Sequence, residues 1–427
     1  MAVKRWNGTA WEVYAGADLA PVKVTDGRVG KTTFIGATTP TGQVDGDIWI
    51  DQDTTTNAVV PTALTTKGDT FVATGNAAYT RLAAGNNGES LFADSSTNTG
   101  LRWQPDYAGS KNVIINGGMD FFQRASLSTT TAGYGLDRWY QVSSGSGANV
   151  TITQQTTGVP SGSRYCARIT TGASAGYGNQ YQWIETSNVA TLRGKTVTVS
   201  IKLRRNAAFA GTLSVVLSKS ATVDAGLING GTWSSIASAT ATNAQLPTGT
   251  TSADWYTVSF SADIPNDGTA NSLQLSIQQS QVESSAYWEM AQCQIEQGLI
   301  ATPFSRAGNT IQGELAACQR YFQALSWGPT YNTAIHSGHF WSSTKSLGTV
   351  HLKTTMRSTP AVSISSPSHV TVYSANSSYS VSSIGVDATT PASFDIEFVT
   401  SSAGTAGYGT FNRITNSSGY LWISAEL

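Results

Sequence analysis

The sequence predicts a mainly β protein of several antiparallel sheets, with one short helix. Apolar and polar residues alternate with period two in many short runs, such as Val197, Val199 and Ile201. Gly, Asn and Pro turn signals separate these runs. Charged residues make up only 12% of the 427 residues, about half of the roughly 25% found in typical soluble proteins. Long surface helices, which carry Glu and Lys on their outer face, are therefore not expected.

The charge balance argues against two classes of partner. Lys and Arg number 25 and Asp and Glu 26, which gives a net charge of −1. Such a chain has no general electrostatic attraction to nucleic acid or to an anionic membrane. No run of 18 apolar residues is present, so we expect no membrane span. Lys4 and Arg5 are not followed by an apolar run, so we expect no signal peptide.

Two regions with few large apolar residues come first in the chain. Residues 1–60 hold short strand-like pieces around turns such as Asn7-Gly8. Residues 61–109 alternate four-residue strands with Gly and Asn turns, and carry few large apolar side chains. A lone domain of this kind buries too little apolar surface to offset its chain entropy. We therefore expect residues 61–109 to form an intertwined collar or shaft in a homotrimer; the alternative is a flexible Gly-rich linker.

Residues 110–308 predict an antiparallel β-sandwich of the jelly-roll type. Period-two runs recur at Leu213–Leu217, Tyr256–Phe260 and Leu273–Ile277, with turns between them. A length near 200 residues suits eight or more strands.

Residues 309–427 predict a short helix followed by a smaller β domain. Thr310 is a suitable N-cap, and Glu314 falls near the positive first turn. Ile311, Leu315, Cys318 and Phe322 recur at helical spacing and predict one apolar face. Strand-like runs resume beyond Trp327.

Several segments resemble a known family in their order along the chain. Asn112–Arg124 (NVIINGGMDFFQR) is similar to the opening strand of jelly-roll domains in bacteriophage tail fibres and minor tail proteins. Leu136–Tyr140 contains their Asp-Arg-Trp element. Gln292–Arg306 resembles their closing strand, and Glu314–Phe322 the start of their terminal domain. Lys67–Trp103 resembles a unit frequent in phage tail proteins.

This resemblance implies a trimeric component of the virion whose sandwich is related to carbohydrate-binding modules. It implies an N-terminal region, residues 1–60, that joins other tail or baseplate proteins, and a distal C-terminal tip, residues 309–427. The expected location is the tail of the virion, after synthesis in the host cytoplasm. The implied ligand is a glycan of the host cell wall.

Catalytic and metal-binding chemistry find little support in the sequence. Cys166, Cys293 and Cys318 lie far apart, without metal-ligand spacing, and are expected to be buried, although a Cys166–Cys293 bridge stays open. Three copies of a histidine on a trimer axis are an alternative metal site. Glu283, Glu289 and Glu296 are expected to lie on a solvated strand and a turn, with Glu296 helping to hold the last strand of the domain, rather than to form a glycosidase pair. We expect no cofactor and no catalysis.

Aromatic residues are the better candidates for function, because sugar rings stack on them while hydroxyls bind to amides. The segment 177–183 places four such residues on one side of a strand: Tyr177, Asn179, Tyr181 and Trp183. The alternative is that these side chains fill the core. A second cluster near the start of the terminal domain comprises Trp327, Tyr331, His336, His339 and Trp341.

Three functions are consistent with these features. The first is a phage tail fibre or minor tail protein that adheres to the bacterial surface, with weak glycan contacts multiplied over three chains. The second is an architectural tail protein without a ligand. The third is the binding module of a polysaccharide-degrading enzyme.

Overall fold

The computed structural model describes most of residues 64–427 and five strands before them. The described residues are 4–6, 11–13, 22–24, 33–36, 48–51, 64–105 without 77, 87 and 88, 111–124, 127–129, 132–144, 150–325 without 175, 228 and 282, and 333–427. The chain forms two compact units, Met1–Pro105 and Asp106–Leu427.

The described residues of the first unit form nine short strands in four small sheets. They are β1 (Lys4–Trp6), β2 (Trp11–Val13), β3 (Val22–Val24), β4 (Thr33–Gly36), β5 (Ile48–Asp51), β6 (Thr70–Gly75), β7 (Ala78–Leu82), β8 (Glu89–Ala93) and β9 (Leu101–Pro105). β1–β2, β6–β7 and β8–β9 are antiparallel pairs, and β4 lies between β3 and a parallel β5.

Polar contacts organise the part of this unit from 64 to 105. Asp69 accepts hydrogen bonds from the backbone of Thr65, Thr66 and Ala84 and from Arg81. Partial desolvation opposes the charge of Asp69, but these donors prevail and lower its pKa to about 2. No hydrophobic side chain among the described residues of 64–105 is buried. The hairpins therefore lack a core of their own within one chain.

The sandwich of the second unit consists of two six-stranded antiparallel sheets. Its strands are β10 (Leu127–Thr129), β11 (Ala132–Tyr134), β12 (Tyr140–Ser144), β13 (Val150–Gln155), β14 (Cys166–Thr171), β15 (Tyr177–Ile184), β16 (Thr196–Arg205), β17 (Leu213–Ser220), β18 (Ser234–Ala241), β19 (Tyr256–Asp263), β20 (Ser272–Gln279) and β21 (Tyr287–Gln297). The first sheet has the order β10-β13-β14-β21-β16-β19, and the second sheet the order β11-β12-β15-β20-β17-β18. A short helix α1 (Thr186–Val189) follows β15.

On most strands whose side chains are described, the apolar side faces the space between the two sheets, as the period-two pattern predicts. β12 and β15 differ, because Gln141, Gln180 and Gln182 point into this space. Trp139, Ile169 and Trp288 are among the buried residues of this core. The three cysteines are buried free thiols, so the bridge left open between Cys166 and Cys293 is not formed. Burial raises the pKa of the Cys166 thiol to about 12.

A helix and a small β domain complete the second unit. They comprise α2 (Ile311–Gln319), β22 (Phe322–Ala324), β23 (Thr333–Ser342), β24 (Lys345–His351), β25 (Ala361–Ile364), a 3₁₀ turn (Pro367–His369), β26 (Val370–Ser374), β27 (Ser377–Asp387), β28 (Ser393–Thr400), β29 (Gly409–Ile414) and β30 (Leu421–Ser424). Six strands close a barrel in the order β23-β24-β28-β27-β26-β29, and β22-β30-β25 form a separate sheet.

The predicted N-cap is present, because the side chain of Thr310 accepts a hydrogen bond from the Gly313 N–H. The predicted apolar face is shorter than expected. The helix ends at Gln319, so Phe322 lies in β22, and Ile311 is exposed. Among the described residues, no helix has the length and apolar content required to span a membrane.

Ion pairs join the sandwich to the C-terminal domain, and we call this set of contacts the joint. Arg124 and Arg138 both bind the carboxylate of Glu426. Arg320 donates to both oxygens of Glu185, at 3.0 and 3.2 Å. These pairs connect residues 135 to 302 positions apart in sequence.

The motif segments supply other parts of the joint. Within the sandwich, Asp120 binds Arg306 through both oxygens, at 2.7 and 3.1 Å. The Glu314 carboxylate accepts hydrogen bonds from the backbone N–H groups of Gly308 and Asn116. The residues that carry the family resemblance therefore include those that fix the two β modules together.

Candidate functional site: the outer face of the second sheet

Strand β15 presents the predicted residues on the outer face of the second sheet. Gly178 faces the interior, since a Cβ there would lie 2.5 Å from Val150 and 2.8 Å from Ile169 of the first sheet. Side chains alternate along a strand. Tyr177, Asn179, Tyr181 and Trp183 therefore point away from the core.

The glutamines of the same strand lie inside the sandwich, where each has a partner. Gln182 accepts from the N–H of Ile115 and donates to its carbonyl, both at 2.9 Å. The Gln180 amide donates to Gln141 at 3.2 Å. The Gln180 side-chain oxygen is buried without a hydrogen-bond partner among the described residues, but the other amide contacts follow the rule that buried polar groups form hydrogen bonds. They fix which face of β15 is outward.

The pairing of the strands places large side chains beside small ones on the outer face, and we call this difference in height the step. One transverse row crosses all six strands of the second sheet: Tyr134, Tyr140, Tyr181, Ser276, Val216 and Ser238. The first three side chains are large and aromatic, whereas the last three are small. The tyrosines therefore form a wall beside a lower floor, in which Ser238 is exposed, Val216 is half-buried and Ser276 is fully covered by its neighbours.

The aromatic side of the step is closed at the end nearest the joint. Trp183 packs 5.3 Å from Tyr140 and 6.4 Å from Tyr181, measured between ring centroids. Tyr321 and Leu427 belong to the same cluster, and only 7% of Trp183 is exposed. In this position Trp183 supports the wall.

The other predicted residues of β15 remain partly accessible. Tyr177, Asn179 and Tyr181 are half-buried. Burial raises the pKa of the Tyr181 hydroxyl, although a hydrogen bond with Asn179 opposes the rise. The Tyr181 hydroxyl therefore stays protonated at neutral pH and can both donate and accept a hydrogen bond.

Hydrogen bonds hold the polar side chains of the step in place. The Asn179 carbonyl oxygen accepts from the Gln279 N–H at 2.9 Å. The Gln278 amide donates to the Ser276 hydroxyl at 2.9 Å. Fixed amides of this kind are suited to recognising hydroxyl groups, because their donors and acceptors are already oriented.

No charged side chain occurs at the outward positions of the described parts of β12, β15, β17 and β20. The outward polar residues are uncharged: Asn179, Ser214, Ser218, Gln274, Ser276 and Gln278. A face with aromatic rings, amides and hydroxyls but no charge is suited to an uncharged polyol.

Sequence analysis identified β15 but missed the floor supplied by β17 and β20. The signal was present, because Leu273, Leu275 and Ile277 alternate as interior residues. The residues between them, Gln274 and Ser276, must then face outward. What the sequence did not reveal was that β20 is the neighbour of β15.

The outer face of the first sheet has the opposite character. Arg168, Glu289 and Arg204 form one row across β14, β21 and β16. Arg168 donates to one oxygen of Glu289 at 2.8 Å, and Arg204 donates to the other. Arg204 also donates to the carbonyls of Gly158 and Thr251, at 2.7 and 3.1 Å. Two loops are thereby held over this face.

The other two glutamates considered for catalysis also hold backbone in place. Glu283 accepts from the N–H of Gly211 at 2.7 Å and of Ala210 at 3.1 Å. Glu296 accepts from the N–H of Thr302 at 2.7 Å and from its hydroxyl at 2.6 Å. All three carboxylates are buried, so the expectation of a solvated strand and turn was wrong, because each carboxylate is enclosed by the groups it binds. Their observed contacts are structural.

The second predicted cluster is divided by the barrel wall. His336 points inward, stacked 5.7 Å from Phe398, and its burial lowers its pKa. His339 and Trp341 point outward from the same strand. Trp327 and Tyr331 lie outside the described residues. Among the residues that the structure describes, no three His, Cys, Asp or Glu side chains are grouped as metal ligands.

Comparisons with known proteins give partial structural likenesses only. No protein-family model and no curated protein matches the sequence. The enzymatically active domain of tailspike protein 4 of bacteriophage CBA120 is similar over 44% of this chain and 22% of its own, with 13% identity and a TM-score of 0.29. The chain thus spans about a fifth of that tailspike.

Two carbohydrate-binding modules show a likeness of similar extent. The CBM22-1 xylan-binding domain of Paenibacillus barcinonensis Xyn10C matches 46% of this chain and 100% of its own, with 10% identity and a TM-score of 0.26. The C-terminal family 22 module of Clostridium thermocellum Xyn10B matches 41% and 96%, with 11% identity and a TM-score of 0.26. Each match covers less than half of this chain.

Proposed function

We propose that this protein is a trimeric component of a bacteriophage tail that attaches the particle to its host by binding an uncharged glycan. The observation that carries the binding role is the step on the outer face of the second sheet. Its aromatic wall, its small floor and its lack of charge match the chemistry of a neutral sugar.

The proposed mode of binding follows from the residues of the step. A sugar ring stacks its C–H face on Tyr181, and its hydroxyls exchange hydrogen bonds with Asn179 and Gln278. Val216 and Ser238 leave room for the ring because their side chains are small and partly accessible. We infer binding without cleavage, since Glu289, Glu283 and Glu296 are all engaged in structural contacts.

The trimer rests on the first unit. Tyr79 is 53% exposed and Leu91 is 41% exposed in the hairpins of residues 64–105. Identical hairpins from two further chains would cover these side chains and supply the missing core. The phage setting rests on the ordered motifs from Lys67 to Phe322.

A mass measurement tests the trimer. Light scattering on the full chain should give three times the 44.9 kDa chain mass. A stable monomer at micromolar concentration would contradict this part of the proposal.

A glycan array tests the binding role. The full chain should bind one or more uncharged bacterial surface glycans, and Tyr181→Ala should weaken this binding about ten-fold, equivalent to roughly 1.4 kcal/mol. Tyr287→Ala is the matched control, because Tyr287 is a half-buried tyrosine on the outer face of the first sheet. An array that stays blank would favour an architectural tail protein, and release of reducing sugar would favour a polysaccharide-degrading system.

A further inference from the structure

The accessibility of the step changes along the two strands of its floor. On β20, the outward residues Ser272, Gln274 and Ser276 are buried, Gln278 is half-buried, and Ser280, just beyond the strand, is exposed. On β17, the outward residues change in the same order, from buried positions near the joint to half-buried positions at the other end. The floor is therefore covered at the end nearest the joint and accessible at the opposite end.

A loop covers the floor at the joint end. It comprises the described residues of 221–231, which lie between β17 and β18. The Ala225 N–H donates to the Ser272 hydroxyl at 2.9 Å, and this hydroxyl donates to the Thr222 carbonyl, also at 2.9 Å. Because Ser272 points outward from β20, the loop lies on the outer face of the second sheet.

Leu427 extends this cover towards the aromatic wall. Its main-chain oxygen accepts hydrogen bonds from the Leu227 N–H and from the Tyr134 hydroxyl, both at 3.1 Å. Leu227 belongs to the loop beside β17, whereas Tyr134 lies on β11 at the far edge of the same sheet. A Cβ at Gly226 would lie 2.6 Å from the main-chain carbon of Leu427, so the loop and Leu427 are in close contact. We call the loop and Leu427 together the barrier.

The barrier and the tyrosine wall meet at a corner beside Tyr181. Trp233, which follows the loop, and Leu427 both pack in the hydrophobic cluster that contains Trp183. The cluster is thus continuous from the wall to the barrier. A sugar ring in this corner is enclosed on two adjoining sides, whereas the sides towards Gln278 and towards β18 are accessible.

We infer that the step recognises the end of a glycan chain rather than its interior. A straight chain does not pass through such a corner, because the side opposite each open side is closed. The terminal sugar occupies the corner beside Tyr181, above Val216, and the chain leaves over Gln278 and Ser214. This inference rests on the proposed glycan binding and adds the class of ligand, which is an unbranched neutral glycan with a free terminal sugar.

Three lengths of one glycan test the inference. The probes are the trisaccharide, the hexasaccharide and the long unbranched polysaccharide of the neutral glycan that binds best on the array. Isothermal calorimetry of the full chain should give one glycan chain per protein chain at every length, because each glycan chain offers one end of the recognised kind. Recognition of chain interiors would place several protein chains on each polysaccharide, so this ratio would fall with length and overturn the inference.

Blocking either end of the hexasaccharide provides a second readout. A bulky fluorescent group on the recognised end should weaken binding at least about ten-fold, since that end lies against the wall and the barrier. The same group on the opposite end should change the affinity by less than about two-fold. Similar affinities for the two tagged forms would contradict recognition of one end.

Two serine substitutions locate the path of the chain. Ser214→Trp places a large side chain beside Gln278, beyond the corner, and should weaken hexasaccharide binding about ten-fold. Ser235→Trp is the matched control, because Ser235 is exposed near the joint end of β18, outside the proposed path. Both variants should keep the melting temperature of the unchanged chain, since neither position is buried. Equal losses of affinity would rule out this path.

The outcomes separate this inference from the proposed function. Binding at all three lengths with a ratio that falls with length leaves the step as a glycan site but removes the recognition of chain ends. End recognition that persists unchanged in Tyr181→Ala would place the site elsewhere and also overturn the inference. An absence of binding to every neutral glycan would overturn the proposed function and this inference together.

Discussion

The two outer faces of the sandwich share one architecture but differ in chemistry. On the first sheet, Glu289 lies between Arg168 and Arg204, and loops at Gly158 and Thr251 close over them. On the second sheet, the outward residues are uncharged and Tyr181 remains half-buried. The first face is stabilised by buried charge, whereas the second leaves polar groups for a ligand.

This difference indicates that the outer face of the first sheet contributes mainly to stability, whereas the outer face of the second sheet is available for binding. Buried charges tolerate no loss of a partner, because an unpaired ion in the interior is costly. Uncharged amides and hydroxyls at a partly open surface tolerate substitution, because water can replace what is lost. Changes on the two faces should therefore affect different measurements.

The largest effect is expected at Glu289. Glu289→Gln keeps the shape of the side chain but leaves Arg204 buried without its counter-charge. The free energy of unfolding should fall by about 3–5 kcal/mol. Urea denaturation of the full chain measures it, through the transition that belongs to the second unit. Gln278→Ala, on the opposite face, is the control and should cost less than about 1 kcal/mol. Similar losses for both variants would remove the distinction between the faces.

A smaller effect on stability is expected at Asp137, a buried carboxyl group that forms no ion pair with an arginine among the described residues. Burial raises the pKa of Asp137 to about 6, although Arg124 and hydrogen bonds from Gln123 oppose the rise. The folded state therefore binds this proton more tightly than the unfolded state, whose pKa is about 3.9. The stability that the proton provides is present below that value and is lost as pH rises through 6.

The measurement compares stability at two pH values. Between pH 4 and pH 7, the free energy of unfolding of the unchanged chain should fall by about 2–3 kcal/mol relative to Asp137→Asn. Parallel pH profiles for the two proteins would show that Asp137 does not titrate in this range.

A change in shape on the uncharged face should act on binding alone. Val216→Trp places a large ring over the small floor beside Ser276, so a sugar ring no longer fits against Tyr181. Affinity for neutral glycan should fall at least about ten-fold, or roughly 1.4 kcal/mol, by isothermal calorimetry. Thr257→Trp makes the same change on the outer face of the first sheet and should leave affinity intact. Unchanged binding in Val216→Trp would place the ligand elsewhere.

The smallest effect is the response of neutral-glycan binding to salt. Because the step has no charged side chain, affinity should change less than about two-fold between low salt and 0.5 M NaCl, where charges more than a few ångströms apart are screened. A steep loss of affinity with salt would mean that ions take part in recognition.

Local pattern in the sequence predicted most of the elements of the fold. Period-two runs located the strands of the sandwich and barrel, and Thr310 located the start of α2. The joint was not predictable, because Arg138 and Glu426 are 288 residues apart and neither has a local signal. Pairing of distant charges depends on how whole domains pack, which composition and periodicity do not encode.

The candidate site was predicted in part for the same reason. The alternation of residues along β15 correctly predicted that Tyr177, Asn179 and Tyr181 share one face. The burial of Trp183 was not predictable, because it depends on the C-terminal domain that packs against it. His336 and His339 were considered together, although residues three apart on a strand point to opposite sides. The glycan role of these residues remains a prediction.

The most direct test of the account is the position of a bound sugar. We suggest a crystal structure of the full chain with the neutral oligosaccharide that binds best on the array. The account predicts a sugar ring against Tyr181, with hydroxyls at Asn179 and Gln278 and the ring above Val216. A sugar bound on the outer face of the first sheet, or none on the second sheet, would contradict it.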